Sequence, residues 1–253
     1  MKGKAGAKGS SSLGIWIFLA ICLVLMELLR QFDLVNALII AAPSEIIASI
    51  PEAKEKYLPG LALTLTEIGL AIAFAWGIGI GVGLLGGAFV GLGNALAPIL
   101  SAMFAVPVVI WYPLFIVWAG IGPESKVAFG VFSGVFPIAL NTLNGVRNLD
   151  QRYIRYGRSI GLGRFEMIRD IMIPLAVPSV IAELRLGTAF TVIGVLVSEM
   201  LASLEGVGYW ISYYRSLFET GHVYLGISLS LIVVYVINRG LTALEDRLSR
   251  WRT

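Results

Sequence analysis

Glu67, Glu183, Arg185 and Glu199 are ionisable side chains set in otherwise apolar stretches. Charges in such surroundings are costly in lipid and face a partner or a wet cavity. Two chemistries fit them. They line a polar translocation path for a solute, or they pair from helix to helix and fix a bundle. A proton relay would need further acceptors, which the sequence does not place. Glu183 and Arg185 are two apart, so on a helix they point to different sides and do not neutralise each other. Glu199 and Arg185, about four turns apart, share a face at different depths. His222 is the only histidine and Cys22 the only cysteine. No Ser/His/Asp set, glutamate–histidine zinc helix or metal-ligand spacing can be built around them. The chain is therefore expected to be non-catalytic, with no metal site and no cofactor of its own.

A second candidate path element is the segment Val106–Trp118, which holds Trp111 and Tyr112 between Pro107 and Pro113. Each proline removes a helix hydrogen bond and bends the backbone. Bent helices line paths in many transporters, and kinks also occur in passive bundles. Glycines crowd Trp76–Gly93, with small-xxx-small pairs at Gly77/Gly81, Gly79/Gly83 and Gly83/Gly87. Such pairs let helix backbones approach closely in lipid. No stretch matches the phosphate-binding G-x-x-x-x-G-K-[ST]. If ATP drives this protein, another chain binds it.

The most informative polar segment is Arg147–Pro174. Asp150 is placed to cap a short helix over 151–160. Gly161 and Gly163 permit a sharp turn. A second helix restarts over Arg164–Met172, and Pro174 marks entry into the next span. Exposed tyrosines and arginines are favoured at protein interfaces. A basic loop that only obeyed a charge rule would not need the glycine turn, the aromatic residues and two helix-length halves together.

These segments need a frame, and composition supplies it. The chain is 57% hydrophobic and 14% charged, with a mean hydropathy of +0.85. Soluble domains carry about 25% charged residues. The apolar surface must therefore face lipid. No charged residue occurs from Ile68 through Pro123, or from Val127 through Val146. A bilayer core takes a helix of about 20 apolar residues. Six spans are expected, near 13–29, 61–88, 96–119, 126–146, 173–201 and 223–242. Ser44 is expected to cap a surface helix carrying Ile46, Ile47 and Ile50. The organisation expected is a disordered tail over 1–12, a first transmembrane helix over 13–32, and an exterior segment over 33–60. A five-helix core follows over 61–246, including the loop 147–172, with a short tail over 247–253. Arg30, Lys54, Lys56, Lys126 and Arg215 fall in outer segments, and the other lysines and arginines, Arg185 apart, in inner ones. The positive-inside rule then puts both termini in the cytoplasm. The net charge of +3 is too small to argue for nucleic acid.

The loop also carries a resemblance. Ser159-Ile-Gly161-Leu-Gly-Arg164-Phe, followed by Ile171-Met-Ile173-Pro174, resembles the cytoplasmic signature of binding-protein-dependent ABC importer permeases. That signature reads E-A-A, three residues, Gly, nine residues, I-x-L-P. Its opening triplet falls on Arg155-Tyr156-Gly157, a departure. Ala42-Pro-Ser-Glu45, Pro113-Leu-Phe-Ile-Val-Trp-Ala-Gly-Ile-Gly122, Leu184-Arg-Leu186, Val197-Ser-Glu-Met200 and Gly206-Val-Gly-Tyr-Trp210 are similar to the nitrate/sulfonate/taurine branch. The resemblance implies an all-α bundle of six transmembrane helices with a cytoplasmic coupling helix, as in type I importers, in a bacterial inner membrane. It implies Arg155, Tyr156, Gly157, Ser159, Gly161, Leu162, Gly163, Arg164 and Phe165 as the ATPase-coupling residues. It also implies ABC ATPase subunits holding ATP and Mg²⁺, a second permease copy in a homodimer, and a substrate-binding protein. An ion-gradient-driven secondary transporter or channel is the alternative. It predicts no co-purifying ATPase.

Overall fold

The computed structural model describes residues 7–249 and is all helix and turn over them. Eleven α-helices are described: α1 (Ala7–Gln31), α2 (Pro43–Ala48), α3 (Ile50–Ala88), α4 (Val90–Ala105), α5 (Tyr112–Ala119), α6 (Pro123–Arg147), α7 (Gln151–Ser159), α8 (Arg164–Glu166), α9 (Ile173–Leu201), α10 (Val207–Ser216) and α11 (Thr220–Ser249). Among the described residues, four helical stretches are long and apolar enough to cross a membrane: Ile50–Ala88, Pro123–Arg147, Glu183–Leu201 and Thr220–Ala243. A fifth crossing is added if α4 and the segment after it count as one bent span. Over the expected first span lies α1. It begins at Ala7 and so takes in residues expected to be a disordered tail. Residues 1–6 and 250–253 lie outside the described residues, and with them Lys2, Lys4, Arg250 and Arg252.

The expected third span is not one rod. Between Val90–Ala105 and Val108–Ala119 the chain turns by 90°. Pro107 causes this. The residue before a proline is pushed out of the helical region, and Val106 is extended at φ −74, ψ 130. Pro113 was expected to bend the chain too, but it sits in the first turn of α5, where no intrahelical N–H is required. A second correction concerns α2. Ala42, not Ser44, is its N-cap, and Pro43 opens the helix. Ser44 instead donates its N–H and Oγ–H to Glu27 of α1 at 3.1 and 2.7 Å. Glu45 accepts the Ala42 N–H at 2.8 Å and pairs with Arg30 at 2.7 Å. These contacts hold α2 against α1. The Arg30 hydrogen bond draws the Glu45 carboxyl below the usual carboxylate range.

The centre of the bundle is α6, packed between α3 and α9. Ala75, Ile138, Val146, Ala176, Val180 and Leu184 form one apolar core there. With 39 residues, α3 is about 58 Å long at 1.5 Å per residue. That exceeds a hydrocarbon core of about 30 Å. Its charged start, Glu52 to Lys56, therefore stands beyond the apolar zone. The expected border at residue 60 does not interrupt the helix.

Glycine placement explains how closely α3 meets α6. A Cβ on Gly79 would fall 2.7 Å from Ile138 Cγ2, and one on Gly87 2.5 Å from Val146 Cβ. On Gly77 and Gly81 it would meet nothing within 4 Å. The small residues thus form a seam on one face of α3 only. Gly134 and Gly194 make a similar seam between α6 and α9, which sequence reading did not single out.

Candidate functional site

The segment 150–172 folds into the expected helix–turn–helix at the Arg-rich end of the bundle. Asp150 caps α7, its Oδ1 accepting the Arg152 N–H at 2.8 Å. α7 ends in a Schellman turn. Leu162 N–H donates to Gly157 O at 3.0 Å, and Gly161 N–H to Arg158 O at 3.1 Å. Gly161 occupies the left-handed position, at φ 81. Space is free around it, so any side chain there is penalised by backbone strain alone, about 1 kcal/mol. Gly163 was expected to share that task, and it does not. Its φ is −66, and it serves as N-cap of α8, with its N–H donating to Glu166 Oε2 at 2.8 Å.

Downstream of α8, Met167–Met172 forms a π-helical turn that runs directly into α9. The expected ordinary helix is widened here because Pro174 has no N–H to give and its ring crowds the preceding turn. The two halves of the element touch at Gly157, which is buried. A Cβ there would lie 2.7 Å from Ile171 Cδ1 and from Met167 Cε. Arg155, Tyr156, Ser159, Arg164 and Phe165 stand exposed around this contact. Phe165 is 74% exposed and forms the apolar tip of the element. In the Arg155-Tyr156-Gly157 triplet only the third position is buried. There a small residue is what the packing demands. In the π turn, Asp170 is held below its usual range by the hydrogen bond from Arg169.

A second site lies near the opposite ends of α6 and α9. Lys126, counted in the sequence as an outer charge, is 2% exposed. Its Nζ meets Glu67 Oε1 at 2.5 Å across the α3–α6 contact. Glu199 is 1% exposed and close enough to interact electrostatically with both. Its Oε1 accepts the Thr64 hydroxyl at 2.6 Å, and its Oε2 the Gly208 N–H at 2.7 Å. Thr64 Oγ1 accepts the Val207 N–H at 3.0 Å in turn. Gly206, at φ 113, lays its backbone against the Glu199 carboxylate, where a Cβ would not fit. The Gly206-Val-Gly208 stretch is thus a cradle that seats one buried carboxylate and pins the start of α10 to α3 and α9. Two carboxylates, one ammonium and one hydroxyl join four helices.

The family described as "Binding-protein-dependent transport system inner membrane component" matches residues 79–250, more than half of the chain. The chain belongs to this family. Curated relatives include the taurine transport system permease protein TauC of Escherichia coli, 30% identical over 157 residues, covering 62% of this chain and 57% of that one. The riboflavin transport system permease protein RibX of Chloroflexus aurantiacus is 32% identical over 160 residues, covering 63% and 60%. The nitrate import permease protein NrtB of Synechococcus elongatus is 28% identical over 161 residues, covering 63% and 56%. The alignments thus span less than two thirds of these relatives' lengths. Among solved structures, an inward-facing MetNI methionine ABC transporter matches with a TM-score of 0.70 at 18% identity, covering 78% of this chain and 98% of that one. An amino acid ABC transporter matches at 0.59 and 15% identity, covering 80% and 97%. These structures show a shared fold. The protein is a multi-pass inner-membrane component of type I architecture.

Within this inner-membrane component the expected path residues part company. Glu67 and Glu199 come together in the buried cluster. Tyr112 lies beside it, 1% exposed, its hydroxyl donating to Ala202 O at 3.0 Å and its ring 4.9 Å from Phe129. Trp111 packs on Phe132 at 5.8 Å. Arg185 belongs elsewhere. Its guanidinium donates to Thr242 Oγ1 and Glu245 Oε2 of α11 at 3.2 and 2.9 Å. As expected, it does not pair with Glu183. Lys126 and Thr64 are the members that sequence reading missed. A lysine four residues into a span, downstream of a glycine–proline turn, was the available signal.

His222 stacks on Tyr214 at 4.4 Å, with Glu219 Oε2 3.1 Å from its Nδ1. Among the described residues no group of His, Cys, Asp and Glu could hold a metal ion.

Proposed function

We propose that this chain is the permease subunit of an ATP-driven importer for a small solute, with the helix–turn–helix 150–172 as the dock for a separate ABC ATPase. The Arg-rich end then faces the cytoplasm, by the positive-inside rule, and both termini lie there. ATP and Mg²⁺ are held by the ATPase. A substrate-binding protein delivers solute at the opposite end, and a second copy of this chain completes the path. The observation that carries this reading is the helix–turn–helix itself. It is a compact polar element with a buried glycine contact and an exposed aromatic tip, on a chain of this family.

Energetically, ATP must favour one bundle state over another through contacts that differ between them. This element runs through its π turn into α9 without a break, so force applied to Phe165 or Arg164 acts directly on a spanning helix. α9 carries Glu199 near its far end. Movement at the dock therefore reaches the α3–α6–α9–α10 cluster along a single rigid element. Taurine, riboflavin and nitrate in the relatives' names differ widely in size and charge. Solute choice in this reading rests mainly with the binding protein, and nitrate, sulfonates and taurine are the solutes to try first.

The test is co-purification of the intact complex and uptake in proteoliposomes. A stoichiometric ATPase and uptake that requires ATP are expected. Uptake driven by an ion gradient alone, with no ATPase retained, would refute the reading. Gly157→Leu gives a finer test. It would lever α7 off Met167 and Ile171, and should lower ATP-driven uptake at least tenfold while insertion is normal. Gly157→Ala should retain most uptake, because the neighbouring atoms are flexible side-chain ends. Equal uptake by Gly157→Leu and the natural protein would remove this element from the coupling path.

A further inference from the structure

A groove of about 740 Å³ lies between α7, α8 and the sharp turn joining α3 to α4. Arg147, Arg158 and Arg164 line it, and no carboxylate does. Arg158 and Arg164 have no acidic partner among the described residues, whereas Arg152 pairs with Asp150 and Arg169 with Asp170. Arg164 lies 5.5 Å over the Phe89 ring. Arg147 is braced by Val90 O and Asn94 Oδ1 at 3.3 and 2.8 Å, so its charge is fixed at the groove wall. The floor is apolar, from Phe89, Met167 and Met172. Beside the groove, Leu85 and Val90 are 54% and 70% exposed, at the level where α3 and α4 leave the apolar zone. Concentrated positive charge over an apolar floor, continuous with a lipid-facing surface, suits an anion that carries hydrocarbon.

We infer that this groove binds the phosphate headgroup of an anionic phospholipid from the membrane leaflet on the Arg-rich side. Basic pockets at helix ends on that side hold such headgroups through charge and hydrogen bonds. Bound there, the lipid bridges the α3–α4 turn and the helix–turn–helix, and so braces the proposed dock. The inference rests on the proposed function only for the naming of the leaflet and of the dock. Its test needs neither ATP nor ATPase, so the two fail separately.

The purified full-length chain is extracted from membranes of mixed phosphatidylglycerol and phosphatidylcholine. Retained lipid is read by native mass spectrometry. Preferential retention of phosphatidylglycerol is expected. Arg158→Gln with Arg164→Gln should lower it by about fivefold for each arginine removed. Arg152→Gln with Arg169→Gln removes the same charge outside the groove and should leave retention unchanged. Size-exclusion elution and helical circular dichroism confirm that both double variants are folded. Equal loss in both, or equal retention of the two lipids, would overturn the inference. So would displacement by millimolar inorganic phosphate, which would make the site one for free phosphate.

Discussion

Lys126→Met is expected to destabilise the folded chain by about 3–5 kcal/mol, the usual cost of stripping one partner from a buried ion pair. Methionine is unbranched like lysine and one atom shorter, and it removes the ammonium charge with its N–H donors. Glu67, 1% exposed, then has no cation, and Glu199 loses the same ammonium. Two carboxylates are left facing each other in a site that water does not reach. The double variant Glu67→Gln with Lys126→Met should recover most of the loss, since replacing both partners by neutral groups removes the uncompensated charge. Denaturant titration in detergent, followed by helical circular dichroism, reads both. A single variant within about 1 kcal/mol of the natural protein, or a double variant no better than the single, would show that the pair does not hold α3 to α6.

Gly83→Leu should be nearly as damaging, at about 3 kcal/mol or more, because it overpacks a rigid contact. A Cβ at Gly83 would already lie 2.6 Å from the backbone oxygen of Ala139. Backbone cannot rotate aside as a side-chain end can, so α3 and α6 must separate. Gly77→Leu is the matched comparison. It lies on the same helix, is exposed, and a Cβ there meets nothing within 4 Å. Its effect should stay within about 1 kcal/mol, helped by the better helix propensity of leucine. Equal losses at the two positions would mean that glycine matters here for helix bending and not for close approach.

The two experiments separate what was legible in the residues from what was not. Gly77, Gly79, Gly81 and Gly83 are indistinguishable as a repeat. Small-xxx-small spacing predicts that some face is close-packed, and it offers two overlapping registers without choosing. Glu67 was legible as a charge in need of a partner. Lys126 was legible only as the start of a span, and its distance from Glu67 in the chain gave no hint that they meet. Arg185 shows the converse. Its place inside an apolar stretch suggested a path residue, and it pairs with Glu245 near the end of α11.

What the sequence by itself determined is local. Uncharged runs dictate membrane-length helices, because lipid offers the backbone no other partner. Pro107 dictates a break, Asp150 a cap and Gly161 a left-handed turn, each through the conformations its own backbone allows or its own side chain reaches. The helix–turn–helix was therefore readable down to its turn residue. Only the tertiary structure decided that Gly157 is the contact between its halves, that Gly79, Gly83 and Gly87 form the seam, and that Glu67, Lys126 and Glu199 make one cluster. Those outcomes depend on which helix faces meet at long separations along the chain. That meeting is set by the packing of the whole bundle, which no single segment encodes.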